Sequence, residues 1–138
     1  MRPLTPIALA LCLAAPVAAK PLVAEVDLSD QRLTVVYKGE ALARYPVSTG
    51  RAGFSTPTGS FRPMRMYEEY YSRQYDDAAM PNAIFYDRGY AIHGSWELPS
   101  LGSPASHGCV RLHPGDARTL FELVMTVGPE NVRILVKP

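Results

Sequence analysis

The chain has 138 residues, enough for one domain of ordinary size. Hydrophobic residues make up 47% and charged residues 20%, which is a folding composition and excludes a disordered tail. Fourteen basic residues face thirteen acidic ones, so charge supports neither nucleic-acid binding nor a polybasic membrane anchor.

Residues 1–19 carry one positive side chain, Arg2, then an apolar run from Ile7 to Ala15, then small residues. This is the pattern of a secretory signal cleaved after Ala19, with Val17 and Ala19 at the small-residue recognition positions. The run is shorter than the roughly 20 apolar residues that a spanning helix needs. Lipid attachment at Cys12 is the weaker reading, because Leu11 stands where a small residue is wanted. The expected mature domain is 20–138, exported to the periplasm or cell-wall space, with thirteen basic and thirteen acidic residues once Arg2 is gone. It then holds a single cysteine, Cys109, with no partner for an internal disulfide.

Leu22–Leu28 alternates apolar and polar residues, Arg32–Tyr37 repeats the pattern after a polar turn, and Ala41–Ser48 supplies a third strand. Pro46 predicts an edge or a bulge there. Residues 49–59, dense in Gly, Pro, Ser and Thr, read as an ordered loop delivering Ser60–Met66 as one further strand. Tyr67, Tyr70, Tyr71 and Tyr75 have helical spacing, which suits an aromatic face packed on the sheet, while the polar residues through Ala79 suit a lid. Ala83–Tyr86 and Tyr90–His93 flank Asp87, Arg88 and Gly89 as a hairpin. Pro114 fits the first position of a helix whose apolar face is Ala117, Leu120, Phe121 and Val124; Gly128 and Pro129 stop it before a final strand, Val132–Val136. Five or six strands with one principal C-terminal helix predict a mainly β fold, an antiparallel β-sandwich or open barrel with the helix near the active site.

The chemistry concentrates in His93–Arg111, HGSWELPSLGSPASHGCVR. A thiol attacks as thiolate, so a reactive cysteine needs a base or a positive charge to lower a free pKa of about 8.5. This stretch offers two histidines and an arginine, and backbone amides around Gly108 and Cys109 are suited to face a developing oxyanion. A lone cysteine is more often a small buried residue than a catalyst. Zinc held by His93, His107, Cys109 and His113 is a further alternative, disfavoured by the single mature cysteine and the absence of a tight ligand pair. Arg111 reads either as a structural ion-pair former or as a fork for a substrate carboxylate.

The pair His93-Gly94, the run Ser106-His107-Gly108-Cys109-Val110-Arg111, and the Thr56-Pro-Thr-Gly59 loop with Phe61 behind it together resemble the L,D-transpeptidases of the YkuD type. The resemblance implies Cys109 as nucleophile, His93 as general base, the Gly94 carbonyl as its orienting partner, and Ser106, His107, Gly108 and Arg111 as shapers of the pocket. It implies no metal and no cofactor. The implied substrates are peptidoglycan stem peptides: a thioester forms at Cys109 with loss of a terminal D-amino acid, and an amine of a second stem peptide, a wall-linked protein or a D-amino acid accepts the acyl group. A monomer is expected. The runner-up activity is a hydrolase at the same site, and a wall-binding module that has lost catalysis is disfavoured by the intact cysteine and histidines.

Overall fold

The computed structural model describes residues 20–138; the expected signal segment and Cys12 lie outside them. Nine strands form one mixed sheet: β1 Leu22–Asp27, β2 Arg32–Tyr37, β3 Glu40–Ser48, β4 Gly59–Phe61, β5 Arg65–Tyr67, β6 Ala83–Asp87, β7 Tyr90–Gly94, β8 Val110–Leu112 and β9 Val132–Lys137. Their order across the sheet is β4-β9-β1-β2-β3-β8-β7-β6-β5. The single α-helix among the described residues, α1, spans Pro114–Val127. The mainly β expectation holds, with two parallel pairings, β1 with β9 and β7 with β8, set among antiparallel neighbours.

The first two strands form because their side chains alternate, burying one set and leaving the other mostly half-exposed. Leu22, Ala24, Val26, Leu33 and Val35 meet Ile134 and Val136 of β9, and α1 closes the cluster with Ala117, Leu120, Phe121 and Val124. Those four are the apolar face expected from the helical spacing. His113 caps the helix by accepting a hydrogen bond at Nδ1 from the Gly115 amide at 3.0 Å, and Pro114 takes the first position, whose N–H would have no partner.

Three expectations need correction. Ser60–Met66 is not one strand: β4 and β5 are separated by Arg62, Pro63 and Met64 and lie at opposite edges of the sheet, β4 on β9 and β5 on β6. Pro63, without an N–H, sits where the chain leaves one ladder for the other. Pro46 is at neither an outer edge nor a bulge. It is the last β3 residue paired to β2, and from Val47 the strand pairs with β8 instead, while the register shift lies at Val35/Val36. Five or six strands was an undercount, since β4, β5 and β8 have only three residues each.

Residues 67–79 form no helix. Tyr67 ends β5, residues 73–77 make a turn, and a single bridge joins Tyr71 to Ala79. Tyr70 packs edge-on against Phe85 at 4.9 Å, so part of the run is the expected aromatic face; the turn beyond it reaches over the sheet as a lid.

Candidate active site

Strands β6 and β7 are buried on both faces, unlike the alternating strands. Ile84, Tyr86 and Ile92 point into the main core, whereas Ala83, Phe85 and Ala91 join Met80 in a smaller cluster against Tyr70 and Cys109. The second cluster is the floor of a cavity of about 240 Å³ whose walls include His93, His107, Cys109 and Arg111.

Parallel pairing of β7 with β8 brings the reactive pair together. His93 stands opposite Arg111, and Cys109 lies two residues earlier on the same face of the neighbouring chain. At ordinary strand spacing this diagonal separates the two Cα atoms by about 8 Å, and the Cys109 Sγ itself lies 3.9 Å from the Gly89 carbonyl oxygen. His93 is only 5% exposed, and its Nδ1 lies 2.7 Å from the Gly94 carbonyl oxygen. A carbonyl only accepts, so Nδ1 carries the hydrogen and Nε2 of the neutral ring is left with a free lone pair. Gly94 itself is required by packing: a Cβ there would stand 3.0 Å from Pro81 Cγ and 3.1 Å from Pro114 Cα.

The electrostatics differ from the expectation of a thiol pKa lowered by its neighbours. Burial pushes the Cys109 thiol up, with the Ala91 amide and the Arg111 charge pulling the other way. Burial likewise pushes His93 down to about 4, opposed by its bond to Gly94 and assisted by Arg111. The resting pair at neutral pH is therefore a thiol beside a neutral imidazole, because desolvation penalises both charged forms more than the neighbours favour them.

The turn bearing Cys109 is held by side-chain to backbone bonds. Ser106 Oγ donates to the Cys109 carbonyl at 2.6 Å and accepts from the Gly108 amide at 3.0 Å. Thr56 Oγ1 donates to the Gly108 carbonyl at 2.9 Å and accepts from the Gly50 amide at 2.9 Å. Gly108 has φ of +121°, and a Cβ there would fall 2.5 Å from Tyr90 Cε1, so a side chain fits neither the backbone nor the space. The Gly108 amide, one of those the sequence suggested for an oxyanion, donates to Ser106 Oγ in this structure. Among the described residues the Cys109 amide has no hydrogen-bond acceptor.

His107 faces the cavity but is engaged by the lid and the loop. Its ring stacks on Tyr75 at 4.0 Å and 5°, meets Phe54 edge-on at 5.0 Å, and Nε2 lies 3.1 Å from Arg51 Nη2. Arg51 has only donors, so Nε2 accepts and the ring is neutral, in accord with burial and the charges of Arg51 and Arg111 holding its pKa down. Arg111 pairs with Glu97 at 3.1 Å and still lines the cavity with a side chain 18% exposed. Both alternatives for Arg111 thus have a basis in its position. Trp96 is 72% exposed and His113 is spent on the helix cap.

Sequence reasoning offered the lid as one reading but left its residues out of the site, and it missed the floor. Tyr70, Ser72, Arg73, Gln74 and Tyr75 line the cavity from the turn, and Arg65 and Phe85 from β5 and β6. The signal was the tyrosine run itself: four tyrosines within nine residues exceed what one packed face uses. Thr56 was visible in the Thr-Pro-Thr-Gly loop, but its bond to Gly108, 52 residues on, was not.

The family model of the L,D-transpeptidase catalytic domain matches residues 21–134. YkuD of Bacillus subtilis (strain 168) is 26% identical over 114 residues, covering 80% of this chain and 63% of that protein. Among solved structures, an L,D-transpeptidase from Stackebrandtia nassauensis superposes with a TM-score of 0.76 at 26% identity, over 94% of this chain and 61% of that one. The L,D-transpeptidase LdtMt1, solved in complex with imipenem, gives 0.74 at 25% identity, over 85% of this chain and 59% of that one. The chain thus spans less than two thirds of the length of these relatives. With the family model running from before β1 into β9 and the same sheet and helix in its structural neighbours, the chain belongs to the YkuD family of L,D-transpeptidase catalytic domains.

Proposed function

We propose that this protein is an exported cysteine acyltransferase of peptidoglycan stem peptides, with Cys109 as nucleophile and His93 as base. The observation that carries the reading is the tautomer of His93: its Nδ1–H is fixed on Gly94 O, its ring is buried and neutral, and it shares one cavity with the only cysteine of residues 20–138.

From a neutral pair, Sγ passes its proton to His93 Nε2 as it attacks the carbonyl carbon joining an L-centre of the donor to a terminal D-amino acid. The oxyanion that forms is met by the Cys109 amide. The C–N bond breaks, His93 returns the proton to the departing amine, and a thioester remains on Cys109. An acceptor amine then attacks the thioester, gives a proton to His93, and releases the thiol as the C–S bond breaks. Ser106, Gly108 and Thr56 fix the turn that aims the sulfur, His107 braces it against the lid, and the Gly94 carbonyl fixes the base. Water in place of the amine makes the enzyme a hydrolase.

Transfer is favoured over hydrolysis because a second cavity of about 200 Å³, bounded by Arg88 and Tyr90, also reaches Cys109 past Tyr75 and His107. Two spaces meeting at one sulfur suit a donor and an acceptor. The acceptor is an amine of a second stem peptide, of a wall-linked protein or of a free D-amino acid.

The test is incubation of the purified chain with a tetrapeptide-bearing wall fragment, read by protein mass and released D-alanine. A thioester on Cys109 and release of one D-alanine are expected, with no loss on adding a chelator. His93→Ala should slow acylation by about a hundredfold or more with the melt little changed. Equal release by the Cys109→Ala variant would overturn the reading. A cross-linked product separates transferase from hydrolase. The imipenem complex of LdtMt1 supports a second probe, a covalent carbapenem mass on Cys109. Export is checked by the N-terminal sequence of the secreted species, expected to begin at Lys20.

A further inference from the structure

The cavity beside Cys109 is lined by three arginines, Arg65, Arg73 and Arg111, and by no aspartate or glutamate. The catalytic pair is neutral at rest, so nothing in the walls offsets that charge. Arg111 is committed to Glu97, and on the rim Arg88 is committed to Asp87. Arg65 and Arg73 have no carboxylate partner among the described residues.

Arg65 is also pre-set in orientation. Its guanidinium carbon lies over Phe85, 4.3 Å from the ring centroid, and Nη2 donates to the Arg88 carbonyl at 3.1 Å. Phe85 is buried and wedged by Tyr70, so the surface on which Arg65 rests is rigid. One of five N–H donors is used, and the rest are uncommitted. Arg73 begins the lid turn, whose neck is tied by Ser72: Oγ accepts from the Tyr75 amide at 3.1 Å, and the Ser72 amide donates to the Ala78 carbonyl at 2.9 Å. Two unpaired guanidinium groups, one on the floor strand and one on the lid, therefore border a single concave space. A planar fork held in place is the usual protein device for recognising a carboxylate.

We propose that Arg65 and Arg73 form a carboxylate-recognition pair that selects anionic acyl donors for Cys109. The proposal rests on the reading of Cys109 as nucleophile and adds the substrate class that its cavity prefers: a peptide carrying a free carboxylate close to the reacting carbonyl. That carboxylate is either the C-terminal one of the departing residue or a side-chain one on the acyl side. Arg65 and Arg73 are specificity residues, with no part in bond making.

The test separates charge selection from turnover. Cys109 is alkylated with iodoacetate and with iodoacetamide, which differ in charge, and the ratio of rates is compared among wild type, Arg65→Gln, Arg73→Gln and the double variant. Both positions are exposed, so the melt should not move. Each single change should lower the ratio, and the double change should lower it by about threefold to tenfold, the range expected of partly solvated charge-assisted contacts. Added salt should shrink the wild-type preference and leave the double variant unmoved. Arg65→Lys should restore part of it. A ratio unchanged in the double variant overturns the proposal.

The second arm measures kcat/KM for donors amidated at the C-terminal or at the side-chain carboxylate. The amidation that removes the wild-type preference, and only while the arginines are present, identifies which carboxylate is bound. Equal use of acid and amide donors by wild type also overturns the proposal. If no donor acylates Cys109 while the alkylation ratio still depends on the arginines, the anion site stands and the acyltransferase reading falls.

Discussion

The two halves of the sheet are built on different physics. In the half that holds β9, β1 and β2, ladders of five and six residue pairs with regular alternation bury one face each, and the Leu22, Val26, Ile134 and Val136 side chains give the half its stability through area removed from water. In β8-β7-β6-β5 the strands are short, the two middle ones are buried on both faces, and the loops between are pinned by single hydroxyls: Thr56, Ser72 and Ser106. The comparison teaches that stability and site geometry are carried by largely separate residues. A methyl group lost from the first half is felt as a lower melt; a hydroxyl lost from the second moves the sulfur.

The strongest challenge to that division is Ile134→Ala in the first half. It should cost about 2–5 kcal/mol of stability, read by denaturant melts, while the acylation rate per folded molecule stays near wild type. A rate that falls in proportion would show the halves to be coupled. Acid comes next. His93 titrates at about 4 in the folded chain, against an ordinary value of about 6.5, so between those values the unfolded chain binds the extra proton. Its contribution is fully present above about pH 6.5 and is lost as pH falls toward 4, up to about 3 kcal/mol in all. Melting of His93→Gln across the same range should show a flatter profile, and the acid limb of acylation should lie near pH 4 instead of 6.5.

Thr56→Val keeps the shape but strands the Gly108 carbonyl and the Gly50 amide, at a cost of about 1–3 kcal/mol. Unlike Ile134→Ala, it should also lower acylation in molecules that remain folded, checked by carbapenem adduct formation against time. The smallest effect is expected at Tyr86, whose buried hydroxyl has no partner among the described residues. Tyr86→Phe should be neutral or stabilising by about 1 kcal/mol, because it removes an unsatisfied polar atom from the core; a loss above that size in the melt would mean the hydroxyl is used.

Legibility in the sequence followed the same division. Strands β1, β2, β3 and β9 and helix α1 could be read because alternation and 3.6-residue spacing are local properties of six or more residues. Strands of three residues, β4, β5 and β8, are too short to show a period. Cys109 and His93 stand out in the sequence through the motif, yet what brings their segments side by side is the parallel pairing at His93 and Arg111, a fact of topology. The raised thiol and lowered imidazole pKa values were not legible, because burial is collective: the motif shows a base and an arginine near the sulfur, and the floor of Phe85, Ala91 and Met80 that dries the site is assembled from elsewhere. Arg65 and Arg73 stand eight positions apart with no pattern to link them, and only the fold over Phe85 makes them neighbours of one space.

Strand β9 pairs with β1 along all six of its residues and with β4 on its other side, so the segment latest in the chain is an interior strand of the sheet. Until residues 132–137 have joined, β1 presents a bare edge and α1 has no completed floor to lie on, while the local hairpins β1-β2-β3 and β6-β7 are already free to form. Both of β9's contacts must close loops of more than seventy residues, the kind of long-range pairing that slows folding and leaves edges open to other chains. Assembly of this domain is therefore gated by its last strand, and a chain shortened before Val132 should collect as aggregates with its hairpins formed and its core unsealed.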